Sequence, residues 1–174
     1  MDESGFLLIP TRRRTWGPQG QTPNICYSYR HDRISTLAAL SLSAVRPRVG
    51  LYVRFQPENF RAVHVPALLA ASVGALACTR HSDLSESKIH RGPFIDHVRE
   101  DFPRLQIQRF PACAPQLNPV EPVWGDFKNH TANSLPQDTQ DIRNRLHANT
   151  RRVRRSPSRL RAFILASDLP SPLD

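Results

Sequence analysis

Ala114-Pro115-Gln116-Leu117-Asn118-Pro119-Val120-Glu121-Pro122-Val123-Trp124 packs a loop, a helix start and an acidic side chain into eleven residues. The spacing predicts a helix from Asn118 to about His130. Asn118 would cap it, and Pro119 would take the first position, where a missing amide costs nothing. Glu121, three residues after the cap, would complete a capping box. Val120, Val123, Trp124 and Phe127 then fall on one buried side. Taken alone, this pattern favours a capping role for Glu121 and a core role for Trp124.

Working outward, Asp138 to Arg155 repeats apolar residues at Ile142, Leu146 and Val153, which predicts a helix. Ser156-Pro157-Ser158 breaks it, and Leu160, Phe163 and Ile164 predict a last one. Upstream, Leu105–Phe110 alternates as a strand does, and Pro93–Phe102 repeats Phe94, Val98 and Phe102 as a helix does. Leu76–Asp83 occupies the place of a strand but fades into Thr79, Arg80, His81 and Ser82, which a buried central strand would not readily accept. Val63–Leu76 is Ala- and Leu-rich and predicts a helix with Pro66 in its first turn. Asn24–Tyr29, Arg33–Leu42 and Val49–Gln56 predict three strands. Between Pro10 and Pro23 lies a loop carrying Arg12, Arg13, Arg14 and Trp16. Strands followed by alternating helix and strand point to an α/β sheet with helices packed on it.

The chain has 174 residues, 39% of them hydrophobic, which is enough for one domain with its own core. The longest apolar run, Val65–Cys78, is interrupted by Pro66, Ser72 and Gly74, so no membrane span is expected. The acidic start, Met1-Asp2-Glu3-Ser4, is unlike a signal peptide, and a cytoplasmic protein is expected. Cys26, Cys78 and Cys113 are too far apart for a paired metal spacing and are expected to be buried free thiols.

Charge is more informative. The net charge is +9, and eight Arg stand between Arg143 and Arg161 with no Asp or Glu among them. Only Lys88 and Lys128 are lysines, so a preference for Arg runs through the whole chain. That preference does not account for the clustering, which points to a polyanionic partner such as DNA. Phosphate-binding glycine loops of the G-x-x-x-x-G-K-[ST] and G-x-G-x-x-G kinds are absent, as is a G-x-S-x-G nucleophile elbow. Carboxylates at element ends in a basic protein remain. That combination suits metal-assisted phosphodiester chemistry, in which hard oxygen ligands hold Mg²⁺ or Mn²⁺ and basic groups hold the substrate.

Three stretches carry a more specific signal. They are Asp2-Glu3-Ser4-Gly5-Phe6 continuing into Arg13-Arg14-Thr15-Trp16-Gly17-Pro18-Gln19-Gly20-Gln21-Thr22-Pro23, then Ser87-Lys88-Ile89-His90-Arg91, then Phe110 through Trp124. In this order they resemble the catalytic domain of bacterial insertion-sequence transposases related to the mariner group, within the DDE superfamily. The A-P-x-L-N-P-V-E-x-x-W string is the most distinctive.

The resemblance implies a ribonuclease-H-like mixed sheet flanked by helices over residues 1–135, with a basic helical extension over 136–174. It also implies an acidic triad holding two metal ions, for in-line attack on DNA by water or a 3′-hydroxyl. Asp2 matches the first acidic residue and Glu121 the third. The second is unsettled. The family has an aspartate closing the fourth strand ahead of the histidine matched by His90. Counting back from His90 puts Ser85 in that slot, with Asp83 two residues earlier and Glu86 one later. Either an insertion lets Asp83 complete the metal set, or a neutral hydroxyl breaks it.

His90 is as readily a helix-entry histidine as a group near the metals. Lys128, seven residues after Glu121, is either an ordinary exposed lysine or a phosphate contact. Arg12, Arg13, Arg14, Arg151, Arg152, Arg154 and Arg155 are the expected DNA contacts. Asp2 should end the family's first strand, so that strand is expected to be largely missing, together with any helix-turn-helix segment. A truncated or inactive copy is the expectation. The alternative is a non-catalytic DNA-binding remnant, or an inhibitor that joins a full-length transposase. Homo-oligomers are also consistent with the family.

Overall fold

β2 (Arg33–Leu42) organises the molecule. In this computed structural model the described residues are 1–9, 11–27, 31–43, 48–74, 80–84, 92–103, 105–111 and 113–169. Alternation along β2 sends Ile34, Ala38 and Leu40 to one side and Leu37 and Ala39 to the other, and each side joins a separate buried cluster. A nearly continuous apolar run suits a strand covered on both faces.

β1 (Asp2–Leu7) runs antiparallel to β2, with Asp2 opposite Ala38 and Leu7 opposite Arg33. β3 (Val49–Gln56) takes the other edge, also antiparallel, with Ser35 opposite Gln56. On one face lie α3 (Glu121–Thr131), α4 (Thr139–Arg154) and α5 (Pro157–Leu165). Their Trp124, Phe127, Leu146, Val153 and Phe163 join Phe6 and Ile34 in one core, so the two carboxy-terminal helices are part of the same packing unit. The opposite face is covered by α1 (Val65–Gly74), α2 (Pro93–Asp101) and Leu105 of β5 (Leu105–Arg109). β4 (Arg80–Leu84) runs parallel to β5, with Asp83 opposite Gln108. The result is a mixed α/β architecture of three antiparallel strands, two parallel strands and five α-helices among the described residues.

The helix starts follow local chemistry. The Asp138 carboxylate accepts the Asp141 amide at 2.7 Å at the head of α4, and Ser156 accepts from Arg159 at 3.4 Å at the head of α5. Arg152 of α4 pairs with Asp126 of α3 and donates to the Asn149 Oδ1 at 2.7 Å, which fastens the two helices together. Phe127, fully buried among them, contributes about 1.5–3 kcal/mol of burial free energy.

Several expectations need correction. Asp2 opens the first strand instead of ending it, and the whole of β1 is paired. β2 does extend beyond Asp2: Ala39 to Leu42 pair only with β3, and among the described pairings β1 and β4 are not joined. Asn24 to Tyr27 form no strand, because β2 already has a neighbour on each edge; Tyr27 instead takes the Arg12 guanidinium on its hydroxyl (3.1 Å) and over its ring (5.9 Å). Cys26 and Cys113 are exposed, since one lies in that loop and the other in a turn at φ 58°; Cys78 lies outside the described residues. No helix among the described residues is long and apolar enough to cross a membrane.

Candidate active site

Period-two alternation puts Asp2 on the same face of β1 as Phe6, the face that α3 covers. α3 reaches it through a fixed loop. A 3-10 turn at Pro115–Leu117 leads to buried Asn118, whose Oδ1 accepts the Val120 amide at 3.1 Å. The expected capping box does not form. The amide of Asn118 already donates to the Pro115 carbonyl at 2.9 Å, and that of Glu121 to the Asn118 carbonyl at 3.1 Å. With no amide left to reach back to, Glu121 becomes the first residue of α3 and its side chain meets Asp2 instead.

The two carboxyl groups lie close enough for Asp2 to act directly on Glu121. Partial burial pushes Glu121 above the ordinary carboxylate range, the charge of Asp2 pushes further in the same direction, and Lys128 pulls back. Asp2 itself is only 8% exposed, and its Oδ2 accepts the indole N–H of Trp124 at 3.1 Å. Trp124 packs edge-on against Phe6 and Phe127, with ring centroids 6.4 and 6.2 Å away. Glu121, Trp124 and Lys128 follow an i, i+3, i+7 spacing, so one face of α3 presents a carboxylate, an indole and an ammonium. Apolar periodicity alone assigns Trp124 to the core and misses this bond. The i+3 step from Glu121 is the sequence signal that could have found it.

Asp83 is the penultimate residue of β4; its side chain lies outside the described residues, as do Ser85, Glu86 and His90. Among the described residues no group of three His, Cys, Asp or Glu side chains converges on a point. Two of the expected acidic residues therefore meet, and the third is located only along the backbone. Lys128 is exposed and borders a cavity of about 320 Å³ with Gly5, Phe6, Ile142 and Arg145.

The cationic residues divide by what already holds them. Arg12, Arg13 and Arg14 are exposed. Their loop is clamped to the end of α3 by Asn133, at φ 56°: its Oδ1 accepts the Arg13 amide at 2.9 Å and its Nδ2 donates to the Arg13 carbonyl at 3.0 Å. Arg151 and Arg155 are exposed, whereas Arg152 is engaged by Asp126 and Asn149 and the Arg154 Nε donates to the Leu51 carbonyl at 2.8 Å.

An antiparallel sheet whose first strand presents an acidic residue to a second one at a helix start, with helices on both faces, is the arrangement of a ribonuclease-H-like domain. More particularly, the chain belongs to the DDE superfamily endonuclease family, which it matches over residues 1–143. Its fold is similar to the Mos1 transposase paired-end complex with left transposon end, with a TM-score of 0.59 and 13% identity over 95% of this chain and 53% of that chain. The Mos1 strand transfer complex (0.59, 12%, 97% and 54%) and a pre-cleavage Mos1 transpososome (0.57, 12%, 97% and 55%) are similar as well. The chain thus spans about half the length of these structures' chains. No curated protein matches it by sequence.

The acidic pair makes stability depend on pH. Because the folded chain raises the proton affinity of Glu121, both states hold that proton at low pH and no penalty arises. As pH rises through the unfolded value of about 4.3 and then the folded one, ionisation costs the folded state stability. In chelator, Glu121→Gln should therefore melt higher than the unaltered protein at pH 7.5, with the gap closing near pH 4. A gap of the same size at both pH values in thermal melts contradicts this.

Proposed function

We propose that this chain is a DNA-binding DDE-type endonuclease domain in which Asp2 and Glu121 hold a divalent cation, Mg²⁺ or Mn²⁺, and that by itself it neither cuts nor joins DNA. The meeting of these two carboxylates carries the reading. A buried carboxylate beside a second one whose proton affinity is raised by desolvation and by its neighbour's charge is a donor set short of positive charge, and the hard oxygens suit Mg²⁺ or Mn²⁺. When bound, the cation supplies Lewis-acid stabilisation of charge on a phosphodiester.

The chain's own residues perform the rest. Trp124 holds Asp2, and Lys128 offers an ammonium on the same helix face as Glu121. The net charge of +9, with Arg151, Arg155 and Arg12–Arg14 all exposed, supports contact with a phosphate backbone. One of the similar Mos1 complexes holds a left transposon end, which supports the same partner class here. What limits cleavage is the second acidic position. Asp83 sits near the end of β4, in a two-stranded sheet that is not paired with β1 among the described residues. It is the residue we assign to that position, and among the described residues no strand pairing locks it to Asp2.

On supercoiled plasmid with Mg²⁺ or Mn²⁺, purified protein should leave nicking at background, while either ion raises the melting temperature of the unaltered protein and not of Glu121→Gln. Robust nicking that disappears in both Glu121→Ala and Asp83→Ala would show that the acidic set is complete and the chain active.

DNA binding should be weak, non-specific and salt-dependent. Replacing Arg151 and Arg155 with Ala should reduce the slope of log affinity against log salt by about 0.9 for each duplex phosphate that the variant no longer neutralises. Arg152→Ala should instead lower the melting temperature, because buried Asn149 loses a donor and half-buried Asp126 keeps only the longer Arg159 contact at 3.9 Å. An unchanged salt slope in the Arg151/Arg155 double variant moves the DNA surface to Arg12–Arg14.

A further inference from the structure

Trp124 is 2% exposed and sits among Phe6, Phe127, Val120 and Val123. A buried indole N–H needs an acceptor, and here it donates to a carboxylate that is itself buried. Asp2 needs the donor equally. It is the first residue of β1, pairs on one edge only among the described residues, and has a buried carboxyl whose oxygens need partners. A Phe in place of Trp124 would fill much of the same space against Phe6 and Phe127 but leave that oxygen without a donor. Packing alone therefore does not explain the residue.

We propose that Trp124 is a positioning residue for the cation site: its indole N–H engages Oδ2 and fixes the rotamer of Asp2, so that Asp2 and Glu121 would hold the cation together. This rests on the reading of Asp2 and Glu121 as metal ligands. Glu121 lies one turn before Trp124 on α3, so a single rigid helix sets both the second carboxylate and the donor that orients the first. Outer hydrogen bonds of this kind orient metal-ligating groups, and their removal commonly weakens affinity 10–100-fold.

The test is Mg²⁺ titration of the full chain by calorimetry, with the indole N–H signals of ¹⁵N-tryptophan-labelled protein followed in parallel. Trp124→Phe should weaken Mg²⁺ affinity about 10-fold or more. Trp16→Phe, at a side chain 99% exposed, should leave it unchanged. In the unaltered protein the indole signal that Trp124→Phe removes should shift on Mg²⁺ addition, the Trp16 signal should stay in place, and Glu121→Gln should abolish the shift. Unaltered affinity in Trp124→Phe, or a stationary Trp124 signal while Mg²⁺ binds, overturns the proposal. If Trp124→Phe does not fold, the indole shift in the unaltered protein decides. Absence of any Glu121-dependent Mg²⁺ binding in the unaltered protein fails the metal-site reading and this proposal with it, and is told apart because no Trp124 variant is involved.

Discussion

Two like charges held together against their mutual repulsion are the constraint on which the rest of this structure depends. Asp2 and Glu121 come from distant parts of the sequence, and the charge of Glu121 is disfavoured where it stands by desolvation and by Asp2. Nothing local puts them there. β2, apolar on both faces, supplies the register that fixes β1, and the aromatic contacts of Phe6, Trp124 and Phe127 fix α3 over it. The packing free energy of that core is what holds a pair that would otherwise separate. Such opposition between stability and a local site is expected where the site binds a cation, because the ligand removes the penalty when it arrives.

Much of the scaffold was legible from pattern alone. β2 and β3 begin and end where the runs Arg33–Leu42 and Val49–Gln56 do, because alternation and turn-forming residues bound them. Pro93, Asp138 and Ser156 mark helix starts for local reasons of capping and proline geometry. β1 was harder. Asp2-Glu3-Ser4-Gly5-Phe6-Leu7 is poor in β-branched residues and becomes a strand through its pairing with β2, which is a tertiary effect. The capping box at Asn118 failed for a similar reason. Its amide found the Pro115 carbonyl, an outcome of loop closure that no spacing rule encodes.

The site was half legible. Asp2 and Glu121 were named from a family resemblance, whereas their shared environment and the bond from Trp124 exist only once β1 meets α3. The arginine cluster shows the same division. Composition reveals a positive region between Arg143 and Arg161, but only the fold shows that Arg152 is tied to Asp126 and Asn149 and that Arg154, though exposed like Arg151 and Arg155, donates to the Leu51 carbonyl. A charge run is thus partly helix-to-core fastening and partly surface available to a polyanion.

That Asp2 and Glu121 form one electrostatic unit is tested most directly by a double-mutant cycle. Urea unfolding in chelator at pH 7.5 would compare the unaltered protein with Asp2→Asn, Glu121→Gln and the double variant. The single changes remove the same repulsion, so the double variant should fall short of the sum of the singles by about 1 kcal/mol. Additivity to within about 0.3 kcal/mol would mean that the two carboxylates do not sense each other, and would contradict the account at its centre.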